Sequence, residues 1–184
     1  MGHLLLTSLL MPALLAAAPA RVVALSSTGH RRSDVHLIDP NYASRPYEKW
    51  EAYGQSKTAN ALFAAELTWR YGAQGVTANA VHPRGIMTNL QRFVPREEQP
   101  AMGWMDEQGN LNPASETPEQ GAATTVWAAV GAELEGVGGL YLEDVREALP
   151  FGPANPFGGR MPCARNPEAA RALWTLSEEL TGLS

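Results

Sequence analysis

A tyrosine and a lysine lie four positions apart in the segment Tyr53-Gly-Gln-Ser-Lys57. If the segment is helical, positions i and i+4 share one face, so both side chains can reach one site. A free tyrosine has a pKa of about 10 and is a poor base at neutral pH, but a nearby ammonium group favours the phenolate and lowers that pKa. A tyrosine tuned in this way can exchange a proton with an alcohol oxygen. The pair alone is a weak signal, because an exposed helix can carry both residue types by chance.

Two further polar segments come directly after apolar runs that read as strands. Ser27 follows the first run, and Asn79-Ala-Val-His-Pro83 closes the second, with Thr88 shortly beyond it. In open α/β sheets, ligands bind beyond the carboxyl ends of the strands, so these residues can meet at one edge. There the Ser27 hydroxyl can hold a carbonyl oxygen, and the Thr88 hydroxyl and backbone donors can contact a ligand. Taken singly, each segment is also a common way to end a strand and begin a turn.

The elements that would position these residues alternate along the chain. Helices are predicted over 4–18, 50–71, 117–131 and 166–182, and strands over 21–26, 76–81 and 138–142. Thr117 and Gln120 form a capping-box pattern with Pro118 at the first helical position. This alternation is typical of α/β layers around a parallel sheet, and near-continuous apolar strands fit a sheet that is covered on both faces. Residues 84–116 lack clear periodicity and are predicted to be a loop with one short helix.

In combination, these segments resemble the short-chain dehydrogenase/reductase family. The matching residues are Arg21-Val-Val-Ala-Leu-Ser-Ser27, Tyr53-Gly-Gln-Ser-Lys57 and Asn79-Ala-Val-His-Pro83. The long segment between the serine and the tyrosine is similar to that of the retinol-dehydrogenase-like and WW-domain-oxidoreductase-like branch. The resemblance implies an α/β fold: the C-terminal part of a Rossmann-like doubly wound parallel sheet, with about three strands and flanking helices. The chain, 1–184, would be one such domain without the N-terminal dinucleotide-binding half.

The resemblance also implies an activity and the residues that carry it. Hydride would pass between a nicotinamide cofactor, NADP or NAD with NADP favoured, and a small carbonyl or alcohol substrate of apolar character. Ser27 would orient and polarise the carbonyl, Tyr53 would donate or accept the proton, and Lys57 would lower the pKa of the tyrosine. Residues 84–116 would form the substrate-binding loop. The residues that would contact the nicotinamide end of the cofactor are Tyr53, Lys57, Pro83, Gly85, Ile86 and Thr88.

Two departures from the family pattern lead us to expect weak cofactor binding. The family holds the pyrophosphate with a strand, a Gly-rich turn and a helix N-terminus, whereas the glycine cluster Gly136-Val-Gly-Gly139 precedes a predicted strand. Arg84 stands where the family has a glycine, which permits close backbone approach to the nicotinamide. A second function therefore stays open: a catalytically silent remnant that acts as a binding or assembly module. The first helix and the helix that carries Tyr53 would provide a contact for a homo-oligomer.

The composition excludes several other classes of protein. A chain of 184 residues with 45% hydrophobic and 18% charged residues is typical of one folded domain. The formal net charge of −5 and the lack of a basic stripe argue against a nucleic-acid partner. A single cysteine, Cys163, and four histidines without metal-ligand spacing predict neither a disulfide framework nor a metal site.

The apolar run from Leu4 to Ala18 admits two interpretations. The small residues Ala18-Pro-Ala20 fit the cleavage site of a secretory signal peptide, but no lysine or arginine precedes the run. A helix packed in the interior or against another subunit fits the run better, and it leads us to expect a cytoplasmic protein. The run is also too short and too interrupted for a membrane span.

Overall fold

The computed structural model describes residues 1–153, 155 and 158–183. Its helices and strands alternate in the predicted order. They are α1 (Gly2–Ala16), β1 (Ala20–Leu25), α2 (Lys49–Tyr71), β2 (Val76–His82), α3 (Pro118–Val130), β3 (Tyr141–Glu143), β4 (Arg146–Glu147) and α4 (Pro167–Thr181). The helices and the first two strands agree with the predicted ranges to within a few residues. The predicted α/β, Rossmann-like fold is therefore confirmed.

The sheet has the strand order β1-β2-β3-β4, and its first three strands are parallel. Every residue of β2, the central parallel strand, is buried. Because β1, β2 and β3 point the same way, their last residues, Leu25, His82 and Glu143, lie at one edge of the sheet. This edge is where the sequence analysis places the polar segments.

The end of the sheet differs from the prediction. The third strand covers 141–143 instead of 138–142, because Gly139 takes a left-handed conformation with φ of 74° and turns the chain just before the strand. A fourth strand, β4, was not predicted and pairs antiparallel with β3. Asp144 and Val145 both have positive φ in the turn between the two strands. Neither residue is a glycine, so the sequence carries no strong signal for this hairpin.

Helices cover both faces of the sheet, and this arrangement forms the core. Alternate residues of β2 face opposite sides, so Ala78 and Ala80 belong to the cluster that includes α2, whereas Val81 packs with Ala128 of α3. Helix α4 lies against α2, where the rings of Phe63 and Trp174 stack at 6.0 Å between centroids. The long helix α2 is thus enclosed between the sheet and α4, which fixes the direction in which its polar residues point.

Helix α1 packs through one side and leaves an apolar surface on the other. Leu4 and Met11 are buried, whereas Leu6, Leu9 and Leu10 are 60%, 66% and 49% exposed. The prediction of a packed apolar helix therefore holds for one face only. Strand β1 beside it is the outer strand of the sheet in the described part of the chain, and its last residue is exposed. Among the described residues, no helix combines the length and apolar character that a membrane crossing needs.

Two leucines of the same size test which residues form the core. Leu62 of α2 is fully buried, whereas Leu9 of α1 is mostly exposed. We expect Leu62→Ala to lower the free energy of unfolding by about 2–5 kcal/mol, because it leaves a cavity, and Leu9→Ala to change it by about 0.5 kcal/mol or less. Urea denaturation followed by circular dichroism measures both values. Equal losses in the two variants would contradict this packing.

Candidate active site

The turn after β1 brings Ser27 and Tyr53 together. Ser27 caps a short 3₁₀ helix, Thr28–Arg32, and its Oγ accepts a hydrogen bond from the Gly29 N–H at 3.1 Å. The ring of Tyr53 lies directly on Gly29, because a Cβ placed there would be 2.6 Å from Tyr53 Cε1 and 3.5 Å from Ser27 Oγ. The serine hydroxyl and the tyrosine ring therefore border the same small space. Both residues are half-buried, so a ligand at the sheet edge can reach them.

Lys57 lies one helical turn beyond Tyr53 on α2. Its Nζ is 5.5 Å from the centre of the tyrosine ring and donates to the Leu25 carbonyl at 3.2 Å. Burial lowers the pKa of Lys57. The amide of Asn60 donates to the same carbonyl at 2.8 Å. Asn60 had no predicted role, although it lies three positions after the lysine and so on the same helical face.

Hydrogen bonds between side chains and backbone hold α2 against the serine turn. Ser26 Oγ donates to the Lys57 carbonyl at 2.9 Å, and Thr58 Oγ1 donates to the Ser33 carbonyl at 2.7 Å. Gly54 allows this approach, because a Cβ there would lie 2.7 Å from the Gly29 carbonyl oxygen. The relative position of Ser27 and Tyr53 is thus set by bonds on either side of them.

A buried histidine and a buried tyrosine lie behind Ser27. His30 is 1% exposed and Tyr141 is 2% exposed. His30 Nδ1 is 2.6 Å from the Ser27 carbonyl oxygen, and Tyr141 Oη is 3.1 Å from the same atom. Sequence reasoning assigned neither residue to the site. Tyr141 lies far from Ser27 along the chain, so no local pattern could have brought it to the site. His30 lies three residues after Ser27, but the sequence alone does not show that its side chain is buried.

The segment after β2 is predicted to contact a cofactor. Some of its residues are open to solvent, and others are packed against the fold. Gly85 is exposed, and a Cβ there would meet nothing within 4 Å. Ile86 is packed instead against α3, where any side chain at Gly121 would overlap it. Thr88 is exposed and caps a 3₁₀ helix, Asn89–Phe93, by accepting from the Leu90 N–H. Pro83 is half-buried at the end of β2.

Arg84 takes a backbone conformation that favours glycine. Its φ is 66°, in the left-handed region. Its side chain turns towards the β3–β4 hairpin, where Nε lies 2.8 Å from Asp144 Oδ1 and 3.9 Å from Glu116 Oε1. Two carboxylates thus hold the guanidinium charge.

The predicted substrate loop, 84–116, folds back onto α2. It contains two 3₁₀ helices instead of the one predicted, Asn89–Phe93 and Arg96–Glu98, and its ends meet where the Glu116 N–H donates to the Gly85 carbonyl at 2.8 Å. Trp104 of the loop packs edge-on against Trp50 at 6.0 Å, and Trp50 packs edge-on against Tyr53 at 6.3 Å. A continuous line of aromatic rings therefore connects the loop to the tyrosine.

The chain is similar over nearly its whole length to curated oxidoreductases. It is 46% identical to a "Probable oxidoreductase" of Streptomyces lividans, over 95% of the chain and 59% of that protein. It is 41% identical to the short-chain dehydrogenase/reductase prx1 of Penicillium rubens, over 100% of the chain and 54% of that protein. It is 37% identical to retinol dehydrogenase 13 of Mus musculus, over 100% of the chain and 52% of that protein. The chain thus spans slightly more than half the length of the curated relatives that it matches.

A solved structure shares the fold of this chain. An uncharacterized protein from Mycobacterium paratuberculosis matches with a TM-score of 0.66 at 32% identity, over 98% of this chain and 56% of that one. No protein-family model matches the chain.

Two buried histidines make the stability of the fold depend on pH. Burial lowers the pKa of His30 to about 4 and that of His82 to about 3, against 6.5 as the ordinary value. Below pH 6.5 the unfolded chain therefore binds protons that the folded chain does not. We expect each histidine to lower the free energy of unfolding by about 1.4 kcal/mol per pH unit as the pH falls from about 6.5 towards about 4. Urea denaturation across this range measures the slope.

His30→Gln should reduce the slope by the share of one histidine, compared with the wild-type chain. If the slope stays the same in a folded His30→Gln variant and a folded His82→Asn variant, the buried histidines are not its cause.

Proposed function

Because the chain belongs to the short-chain dehydrogenase/reductase family and corresponds to its C-terminal part, we propose that it carries the proton-transfer site of an oxidoreductase. The reaction is hydride exchange between a nicotinamide cofactor, NADP or NAD, and a carbonyl or alcohol. The observation that supports this function is that Ser27 Oγ and the Tyr53 ring both lie next to Gly29, with Lys57 Nζ 5.5 Å from the centre of the ring.

Each of the three side chains has a distinct role in the proposed reaction. In the reducing direction, Tyr53 Oη gives its proton to the carbonyl oxygen of the substrate and becomes a phenolate. The Lys57 ammonium group favours that phenolate, because an opposite charge nearby stabilises the ionised form. The Ser27 hydroxyl donates a hydrogen bond to the same substrate oxygen and so stabilises the charge that develops there. In the oxidising direction the phenolate takes the proton from the alcohol.

The described residues fit the nicotinamide end of a cofactor better than its other end. The nicotinamide cofactor supplies or accepts the hydride when bound. We propose that Lys57 contacts its ribose and that Pro83, Gly85, Ile86 and Thr88 line the nicotinamide side. The open space at Gly85 supports this placement, as does the turn of the Arg84 side chain towards Asp144. The glycine cluster 136–139 lies ahead of β3 and not at a helix N-terminus, so it does not provide a pyrophosphate site.

The aromatic side chains near Tyr53 support a proposal for the substrate class. Trp50 and Trp104 present aromatic rings next to the tyrosine, and Met102 is half-buried in the same loop. We propose that residues 84–116 form the substrate loop of this domain, 1–184, and that the substrate is an apolar carbonyl or alcohol. We also propose a cytoplasmic location, which the packing of Leu4 and Met11 in the core supports.

A second function is supported by the exposed leucines of α1. Leu6, Leu9 and Leu10 lie on the exposed side of α1, and together they offer an apolar surface to a protein partner. We propose as the alternative that the chain is a catalytically silent binding or assembly module, and that α1 and α2 contribute to a homo-oligomer. The two functions differ in what they require of Tyr53.

Replacing Tyr53 by phenylalanine tests the proposed reaction. The ring stays in contact with Gly29, but the proton that the reaction needs is lost. We expect the rate of NADPH oxidation with apolar aldehydes to fall by at least about 100-fold. The assay is run on the 184-residue polypeptide and on a chimaera in which the first part of a curated relative precedes it.

The matched control is Tyr47→Phe, since Tyr47 is 70% exposed. This variant should keep the wild-type rate. A rate that Tyr53→Phe leaves unchanged would contradict the role of the tyrosine, and an inactive chimaera that is folded and binds NADPH would favour the silent module.

We expect the 184-residue polypeptide itself to bind dinucleotide weakly, because a pyrophosphate site is not part of its described fold. A ligand that binds only the folded state raises the melting temperature in proportion to its occupancy. Thermal melts with and without NADPH should therefore coincide for this polypeptide and separate for the chimaera. A clear NADPH-dependent rise in the polypeptide alone would contradict the expectation.

A further inference from the structure

Behind Ser27 lies a buried cluster of polar groups with no assigned role. His30 and Tyr141 are almost wholly inaccessible, and both reach the Ser27 carbonyl oxygen. The two side chains also touch each other, with Tyr141 Oη 3.1 Å from His30 Nδ1. The cluster contacts the backbone of the serine and lies outside the space that Ser27 shares with Tyr53.

The hydrogen bonds fix the tautomer of His30. The Met161 N–H donates to His30 Nε2 at 3.1 Å, so Nε2 carries no proton. In a neutral imidazole the proton is then on Nδ1, which donates to the Ser27 carbonyl at 2.6 Å. An Nδ1–H group cannot accept, so Tyr141 Oη donates to the Ser27 carbonyl as well. The Ser27 carbonyl therefore receives these two side-chain donors in addition to the backbone N–H of His30 at 3.0 Å, and both ring nitrogens of His30 are used.

Met161, whose N–H binds His30, lies in a segment that hydrogen bonds hold in place. The N–H groups of three successive residues each donate to a different part of the fold. Gly159 donates to the Glu143 carboxylate at 2.8 Å, Arg160 donates to the Leu149 carbonyl at 2.8 Å, and Met161 donates to His30. The imidazole is thus fixed between the serine turn and a segment that is anchored to β3 and to the chain after β4.

We propose that His30 and Tyr141 are positioning residues for Ser27, which hold its carbonyl and thereby aim its hydroxyl at the substrate oxygen. Ser27 Oγ accepts from the Gly29 N–H at 3.1 Å, and this bond leaves the hydroxyl proton to be donated to a ligand. The direction of that proton depends on the orientation of the serine backbone, which the two buried donors fix. The proposal rests on the proposed function of Ser27, so its test includes a measurement that needs no turnover.

The first measurement uses the wild-type chain. Side-chain nitrogen NMR should show His30 as the neutral Nδ1–H tautomer at neutral pH. A charged ring or an Nε2–H tautomer would overturn the proposal. This result depends neither on activity nor on whether a variant folds.

The second measurement uses Tyr141→Phe, which removes one donor and keeps the ring. The Gly29 amide, which binds Ser27 Oγ, should exchange with solvent faster and shift its resonance, whereas Tyr47→Phe should leave it unchanged. His30→Asn provides a second variant with the same expectation. An unchanged exchange rate and resonance of the Gly29 amide in folded variants would overturn the proposal, whatever the turnover of these variants.

The third measurement compares the turnover of the chimaera in the wild-type background and in a Ser27→Ala background. Tyr141→Phe should lower kcat by about tenfold to 100-fold with little change in KM, since small misplacements of a catalytic group cost rate. In a Ser27→Ala background the same substitution should have no further effect, because the group that it positions is gone. Equal losses in both backgrounds would show a general structural effect and overturn the proposal. A wild-type chimaera without turnover would instead contradict the proposed function, and the Gly29 amide would then decide the positioning role.

Discussion

The close approach between α2 and the turn after β1 is the constraint on which the site depends. Gly29 and Gly54 face each other across this contact, and a Cβ on either would lie under 3.0 Å from an atom of the other element. Their lack of side chains lets the Tyr53 ring lie beside Ser27. A methyl group at Gly54 would meet the Gly29 carbonyl and push the helix away from the turn, and one at Gly29 would displace the Tyr53 ring. The geometry of the site therefore depends on the lack of side chains at Gly29 and Gly54 as well as on the side chains of the proposed site.

Hydrogen bonds then make this contact specific. An unpaired polar group in the interior costs about 1–3 kcal/mol, so buried polar groups penalise every arrangement that leaves them without partners. Ser26 and Thr58 bond the backbone across the contact between α2 and the serine turn, and His30 does so behind it. A sliding of α2 by one residue would break the Ser26 and Thr58 bonds together. The apolar core holds the layers against each other, whereas these polar groups select one register.

Local patterns in the sequence were sufficient for most of the elements and for part of the site. The capping residues Thr117 and Gln120 mark the start of α3, and the spacing of Tyr53 and Lys57 places both on one face of α2. The role of His30 could not be found in this way. The side chain of His30 contacts Tyr141 and accepts from the Met161 N–H, both more than a hundred residues away, and burial decides whether a histidine is solvated or structural. The β3–β4 hairpin was missed because Val145, a β-branched residue with positive φ, is not typical of its turn.

The proposed site lies within a chain that spans about half the length of its curated relatives. Ser27, Tyr53 and their supporting bonds come from β1, α2, β3 and the segment near Met161, all of which lie within the described fold. Lys57 is held at the outer strand of the described sheet, because its ammonium group binds the carbonyl of Leu25, the last residue of β1. The position of the lysine ammonium group is thus tied to the end of β1, whereas the serine turn is held from α2, β3 and the segment near Met161.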